Sequence, residues 1–373
     1  MSATFYDQYE QDLSMVHEST LRTPEDDGNG SAEAKDTALA ASYDLLKPMP
    51  TLPDGVDIEL ALRVKEFIHG LASGKYPSKV INAMREPVSF TLDGLLDNGV
   101  MLTYAIGLAT TSGNDPYIQT IDEYINWKLE SFTTHGEQKN TYDSAQDIIF
   151  DLFGCIVNDY TLSLKRDDSA IRQSVGIMSP IFAVGNALSS PIGEWAVEPF
   201  TWKDIDTTNT YLKIGATDYM PPSVNSMSIQ IVNNVSFIGA LGDDAGAYAI
   251  NGKRDVILTI DGYIDDKTLF DFWRDLWDNE NGYLTTAGGR MCYRLYLKKG
   301  GDANDYIDLN LYNLVMTGFN HHFSTADESI KGVTMEFKCA TPSPTKKQFR
   351  TQADAAGLII KDDNDNEVYH FNT

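Results

Sequence analysis

Hydrophobic and polar positions alternate along several short stretches of this chain. Val88, Phe90 and Leu92 alternate with Ser89, Thr91 and Asp93. That two-residue period predicts a strand with one face buried and one face wet. The same period recurs over 159–168, where Leu162 and Leu164 oppose Thr161, Ser163 and Lys165, and it continues over 171–177. In 226–237, Met227, Ile229 and Ile231 oppose Ser228, Gln230 and Val232. Further strands are predicted over 256–264, 292–297, 306–311, 315–319 and 332–339. A three-to-four residue period is rarer. Leu60, Val64, Phe67, Ile68 and Leu71 predict an amphipathic helix over 58–71, and 99–106 reads as a second helix. Leu269, Phe270, Trp273, Leu276 and Trp277 predict a third over 266–278, with an acidic start. Residues 115–136 read as a loop or hairpin region. The balance is a mainly β chain of short antiparallel strands in a sandwich or barrel, with flanking helices.

One strand pattern occurs twice. REPVSFTLDGLLDNGVML (85–102) aligns with KRDVILTIDGYIDDKTLF (253–270). Val88, Thr91, Asp93, Gly94 and Asp97 meet Val256, Thr259, Asp261, Gly262 and Asp265. A second echo follows each copy: Asp168, Ile171 and Arg172 meet Asp327, Ile330 and Lys331. Two echoes in the same order point to a duplicated unit, and duplicated units build symmetric assemblies. Residues 1–53 stand apart. PEDDGNGSAEAKD (24–36) is polar and turn-rich, which predicts a partly extended or disordered arm with one short helix over 37–46. The C-terminal stretch 361–373 is acidic and predicted exposed.

Composition narrows the function. The 373 residues suffice for two ordinary domains, and 42% hydrophobic with 22% charged residues is typical of a soluble globular protein. No apolar run approaches the roughly 20 residues of a spanning helix, and the N-terminus has neither the basic nor the apolar stretch of a signal peptide. Cys155, Cys292 and Cys339 form no disulfide framework and read as reduced thiols made in a cytoplasm. A net charge of −25 opposes ordinary nucleic-acid binding, which needs clustered Lys and Arg to displace counterions. It suits solubility, a salt-adapted host, or a surface past which a polyanion slides.

The chemistry-bearing residues do not assemble into an active site. Asp93 and Asp97, and Asp261, Asp265 and Asp266, are clustered carboxylates, but Asp before Gly reads as turn chemistry. His321 and His322 are neighbours in a predicted strand, so they point to opposite faces. His17, His69, His135 and His370 lack a partner at ligand spacing. The glycine-rich stretches 242–253 and 288–292 do not link a strand to a helix as a phosphate loop does. The expectation is no catalytic residue, no metal and no cofactor.

The order of motifs carries a resemblance. SMSIQIVNNV (226–235), INGKRDVILTIDGYIDD (250–266), LFDFWRDLW (269–277) and YIDLNLYNLVMTGFNHHFSTADESIKGVTMEFKCATP (306–342) together resemble the major tail tube protein of long-tailed, siphovirus-like phages and archaeal tailed viruses. The pattern there is a strand with an Asn-Asn turn, a Gly-Lys/Arg strand ending in Asp, a short helix, and two closing strands. Here the last begins at Gly332 and Val333. GCIVNDYTLSLKRDDSAIRQSV (154–175) resembles the family's central strand pair and EPFTWKD (198–204) its connector. The resemblance covers most of 85–344, while the arm before Asp54 matches nothing nameable.

The resemblance implies tandem tail-tube-like β-sandwich or barrel domains. The division would be an arm over 1–53, a first tube domain over 54–183, a connector over 184–225, a second tube domain over 226–345 and a tail over 346–373. Strand exchange between the two domains across the connector stays open. It further implies a structural virion protein that self-assembles into stacked rings, a conduit for viral DNA with no specific binding. A duplicated chain can make a pseudo-six-fold ring from three copies; a six-copy ring with one domain at the channel is the alternative. Other tail proteins would sit at the tube ends, and no membrane is involved. A tail hub, baseplate or adhesin-type binding module is the competing function. If the apolar strand faces pack inside, the polar faces are candidates for the channel wall: Ser89, Thr91, Asp93, Ser228, Gln230, Thr259 and Asp261. Asp93 and Asp261 could instead cap turns away from the channel. The repeat itself is marked by Val88, Gly94, Asp97, Val256, Gly262 and Asp265.

Overall fold

The computed structural model describes residues 11–21, 23–24, 47–49, 56–59, 62–67, 79–96, 99–106, 120–121, 129–139, 147–185, 198–214, 217–219, 224–239, 246–250, 252, 254–263, 291–299, 306–321, 332–339 and 349–350. In the first half the elements are β1 (Gln11–Thr20), β2 (Thr23–Pro24), β3 (Lys47–Pro48), β4 (Val56–Glu59), β5 (Leu62–Phe67), β6 (Lys79–Arg85) and β7 (Val88–Leu95). They continue with α1 (Val100–Ile106), β8 (Thr120–Ile121), β9 (Phe132–Gln138), β10 (Ile148–Lys165), β11 (Arg172–Ser179) and β12 (Ile181–Val184). The second half holds β13 (Tyr211–Ile214), β14 (Thr217–Tyr219), β15 (Val224–Val232), β16 (Ser236–Gly239), β17 (Gly246–Ile250) and β18 (Asp255–Tyr263). It closes with β19 (Met291–Lys298), β20 (Tyr306–His321), β21 (Gly332–Cys339) and β22 (Phe349–Arg350). The fold is mainly β, with antiparallel sheets packed as a sandwich.

One long sheet organises the molecule. Its strands run β4-β7-β11-β10-β15-β18-β21-β20, every neighbouring pair antiparallel. Alternation along each strand sends every second side chain into the core, as the two-residue period requires. Phe90 and Leu92, Leu162 and Leu164, Ile229 and Ile231, Leu258 and Ile260, and Met335 and Phe337 are all buried there. Two shorter layers pack against this sheet. β12, the first half of β10, β9, β1 and β3 form one, and β22, the first half of β20, β19, β13 and β14 form the other. A single apolar cluster runs through both halves, from Met15 and Tyr104 to Met335 and Phe337.

The pairing order of the first half is copied in the second. The run β4-β7-β11-β10 is matched by β15-β18-β21-β20. A hairpin follows the first strand in each, β5–β6 and β16–β17. The β10–β11 ladder slips between Val157 and Asp159, and the β20–β21 ladder slips between Met316 and Gly318. Those positions correspond, because Asp159 pairs with Gly176, the partner of Thr91, and Gly318 pairs with Glu336, the partner of Thr259. A bulge re-aims a strand and strengthens its twist, so its repetition preserves the same bend in both copies. The second echo is one residue out of step: Val175 and Met335, not Thr334, share the rung opposite the equivalent Leu92 and Ile260.

Several expectations change. No helix spans 58–71: Ile58 lies in β4 against Phe90, and 62–67 pairs with β6. Backbone pairing with β7 and β6 overrides a local helical pattern that had no other support. The region 115–136, predicted as loop or hairpin, holds β8 and the start of β9, and 306–311 with 315–319 is one continuous strand. Part of the N-terminal arm is built in: β1 pairs along seven residues of β9, with Met15 and Val16 buried. The helix over 100–106 is present. The helices expected over 37–46 and 266–278 lie outside the described residues.

Candidate functional site: a polar sheet face

The wet face of the long sheet gathers the candidate residues. Along β7, Ser89, Thr91 and Asp93 are exposed while Val88, Phe90 and Leu92 are buried. Ser228 and Gln230 on β15, and Thr259 and Asp261 on β18, are half-buried on the same side, because their rungs align through the sheet. One row reads Asp93–Ser174–Thr161–Gln230–Ile257–Lys338, and the next Arg172–Ser163–Ser228–Thr259–Glu336. All seven candidates therefore share one face of one sheet, spanning both halves. Two of the repeat-motif residues, Val88 and Val256, are buried on the opposite face. Gly94 and Gly262 pair with Gln173 and Val333 at matching rungs. Asp97 and Asp265 lie outside the described residues.

The Asp-Gly pairs do not make turns. Asp93-Gly94 lies inside β7 and Asp261-Gly262 inside β18. Among the described residues Gly154 is the positive-φ glycine, so neither pair uses the left-handed conformation that an Asp-Gly turn would need. Asp261 instead ties three strands together. Its two carboxylate oxygens accept from Ser226 Oγ at 2.8 Å and Thr334 Oγ1 at 2.6 Å. Such charge-assisted bonds across adjacent strands hold the face rigid. Asp159 was not anticipated: its oxygens accept from Gln230 Nε2 at 3.2 Å and Thr161 Oγ1 at 3.5 Å. Lys338 pairs with Asp255 at 2.7 Å. Thr317 Oγ1 donates to Glu336 at 2.9 Å. The face carries acids on four of its strands, Asp93, Asp159, Asp255 with Asp261, and Glu336, against Lys165, Arg172 and Lys338.

Behind this face, a buried latch joins the halves. Asn233 Nδ2 donates to Val157 O and Ala105 O, each at 2.9 Å. Its own backbone N–H donates to Asn158 O, and Val235 N donates to Asn158 Oδ1. Arg254 donates through Nε to Asn233 Oδ1 at 2.8 Å and through Nη2 to Ile106 O at 2.8 Å. A cation thus sits on the last carbonyls of α1, where helix carbonyls lack intrahelical partners. Burial pushes the Arg254 guanidinium down to about 9, so it stays charged at neutral pH. Sequence reading missed this latch because its members are 149 residues apart at the widest. The Asn-Asn motif was the available signal: Asn234 has a positive φ, ending β15 and leaving Asn233 aimed at the first half.

His135 and His17 do acquire partners, from β9, β10 and α1. His135 Nδ1 lies 2.7 Å from Asp151 Oδ1 and Nε2 lies 3.4 Å from Glu137 Oε1, all buried. His17 Nδ1 lies 3.1 Å from Tyr104 Oη. The nearby Glu18 accepts from Thr133 Oγ1 at 2.6 Å and Gly154 N at 2.7 Å. These contacts stitch β1 to β9 and β10. Among the described residues no group of three or more His, Cys, Asp or Glu is placed to hold a metal ion. His321 ends β20, and His322 lies outside the described residues.

The region expected as a connector also has a defined role. Phe200 N donates to Leu96 O and Ile171 N donates to Phe200 O, clamping the end of β7 to the start of β11. A 3-10 turn, Trp202–Asp204, follows, capped by Asp204 accepting from Thr201 N at 2.6 Å and Thr201 Oγ1 at 2.7 Å. No curated protein matches the chain. The phage tail tube protein family matches residues 87–289, from the start of β7 through β18 and beyond, which is more than half of the 373 residues. With that match lying across the sheet that carries the polar face, the chain belongs to the phage tail tube protein family.

Proposed function

We propose that the chain self-assembles into stacked rings in which the polar face of the long sheet lines the channel that conducts viral DNA during ejection. Membership of the family makes the chain a structural component of the virion tail. The observation that carries the rest is the eight-strand sheet, whose two ends are strand edges among the described residues and whose wet face is continuous across both halves. An exposed edge is a template for pairing, and ring closure removes it. Three copies, each contributing two four-strand units, would make a pseudo-six-fold ring; six copies with one unit each at the channel is the alternative. The two units are proposed as domains, with β1 counted in the first and β13 in the second, since each pairs within its own half. Synthesis in the host cytoplasm agrees with the free, buried Cys155.

The acids on the polar face would repel DNA phosphates, so the genome would slide without the contacts a basic wall supplies. Converting Asp93 and Thr259 to Lys tests this. Tubes should form normally, and ejection should slow more in low salt than in high salt because screening weakens the new attraction. Unchanged ejection from intact tubes would remove the channel assignment. Contact between stacked rings is assigned to the part of the arm beyond β1 and to the β5–β6 and β16–β17 hairpins. β16–β17 exposes Ile238 and Ile250. Deleting residues 25–46, which spares β1 and β3, should leave folded chains that make shorter tubes, measured by negative-stain microscopy. Full-length tubes from that variant would discard the contact.

A further inference from the structure

We infer that neighbouring chains join by copying the seam that already exists inside each chain, so that residues 318–321 of β20 pair antiparallel with β4 of the next copy, Asn320 opposite Glu59 and His321 opposite Ile58. This rests on the ring reading above and names its joint.

The seam inside the chain is the β10–β15 ladder, with Thr161 opposite Gln230 and Leu162 opposite Ile229. Each of these four residues has a counterpart at an outer edge of the sheet. Ile229 pairs with Leu258, and Ile58 pairs with Phe90, the repeat partner of Leu258. Ile58 therefore holds the place of Ile229, and Glu59 that of Gln230. Thr161 pairs with Ser174, which faces Asp93; Asn320 pairs with Thr334, which faces Asp261. Asn320 therefore holds the place of Thr161, and His321 that of Leu162.

The edges are open at just these places. β4 pairs on one side with β7, and among the described residues nothing pairs on its other side. β20 is flanked on both sides up to Leu314, by β19 and by β22 or β21. Beyond Leu314, β21 is the partner strand that remains among the described residues. In the first half the matching stretch of β10, past the end of β9, is where β15 adds. The apolar residues agree. Tyr160 and Ile229 at the internal seam are fully buried, whereas their counterparts Phe319 and Ile58 are packed against the core but half-buried. A copied seam would complete the burial of both. The occupant is thus a second copy of this chain, supplying the complementary edge in a head-to-tail contact that closes into a ring.

The copy is not chemically identical. The latch residues Asn233 and Arg254 have Leu62 and Glu86 at the equivalent positions, since Glu86 aligns with Arg254 two residues before Val88 and Val256. The joint between chains accordingly lacks the buried guanidinium that locks the joint within each chain. A ring built this way alternates locked and unlocked seams, and it should come apart only at the unlocked ones.

Paired cysteines test the register. Antiparallel rungs alternate between hydrogen-bonded and non-hydrogen-bonded pairs, and the closer type favours a cross-strand disulfide. Asn320→Cys with Glu59→Cys, and His321→Cys with Ile58→Cys, sample both types. One of them, oxidised in assembled tubes, should convert most of the chain into a covalently closed ring on a non-reducing gel. Asn320→Cys with Asp57→Cys, two residues out of register, should not. A ladder closing at six would keep the register and replace the copy number. Tubes visible by microscopy with neither in-register pair cross-linking would overturn the joint while leaving the ring reading intact; absence of any ring would overturn the ring reading first. Hydrogen exchange on the unaltered protein gives an independent reading. Amides of 56–59 and 318–321 should gain protection on assembly, while 159–165 and 226–232 are protected already in the free chain. No gain at 56–59 and 318–321 in assembled tubes would equally reject the joint.

Discussion

The two halves share a strand order and part company where their edges meet something. The second half enters the long sheet through β15, which finds β10 waiting and is locked by Asn233 and Arg254. The first half enters through β4, which has the same place in its own four-strand run and, among the described residues, no strand beyond it. The two halves therefore share the strand order but not the fastening. An internal seam can afford buried polar chemistry, because both partners are always present and every donor can be matched during folding. A seam between separate chains must tolerate exposure before assembly, so a buried cation there would be left stranded in the free subunit.

That contrast can be broken from either side. Ile229→Ala empties a fully buried position of the internal seam and should destabilise the free chain by about 2–5 kcal/mol, measured by urea unfolding. Ile58→Ala, at the matching outer position, should cost clearly less in the free chain and show its larger effect as a loss of tube assembly. Equal losses in the free chain would mean that the outer position is already as fully covered as the internal one.

Arg254→Ala removes the donor to Asn233 and to the α1 carbonyls and should cost about 2–4 kcal/mol in the same measurement. Glu86→Ala, its counterpart, should leave folding stability within about 0.5 kcal/mol. A silent Arg254→Ala would deny that the latch separates the two seams.

A smaller effect is expected on the polar face. Asp261→Ala leaves Ser226 and Thr334 without their acceptor and should lower stability by about 1 kcal/mol, whereas Asp93→Ala on the exposed β7 should change it little. The smallest signal is chemical. Burial pushes the Cys155 thiol up to about 12, so in the folded chain it should resist thiol reagents at pH 8 and react only after unfolding. Rapid labelling of native protein would show that the β1–β9–β10 layer opens far more readily than its packing implies.

Much of this was readable before any coordinates. Alternation along 88–93, 226–232 and 256–261 needs only the two-residue geometry of a strand with one wet side, so strand identity and the choice of polar face followed from local pattern. The repeat was visible because the same residue types recur at Val88 and Gly94 and at Val256 and Gly262, and the two glycines hold matching rungs. Other features depended on what came alongside. Residues 58–71 have a helical spacing of apolar positions, and only pairing with β7 and β6 made strands of them. Asp-Gly looks like a turn until its neighbours on both sides are strands. The closer partner of His135 was hidden from the sequence, since Asp151 meets it only through the β9–β10 ladder. The chain by itself determined which residues face water and which repeat one another, because these depend on periods of a few residues. Which edges meet, and which seam is locked, was decided by the tertiary structure alone, because Arg254 and the Ile106 carbonyl become neighbours only when strands distant in sequence are brought into register.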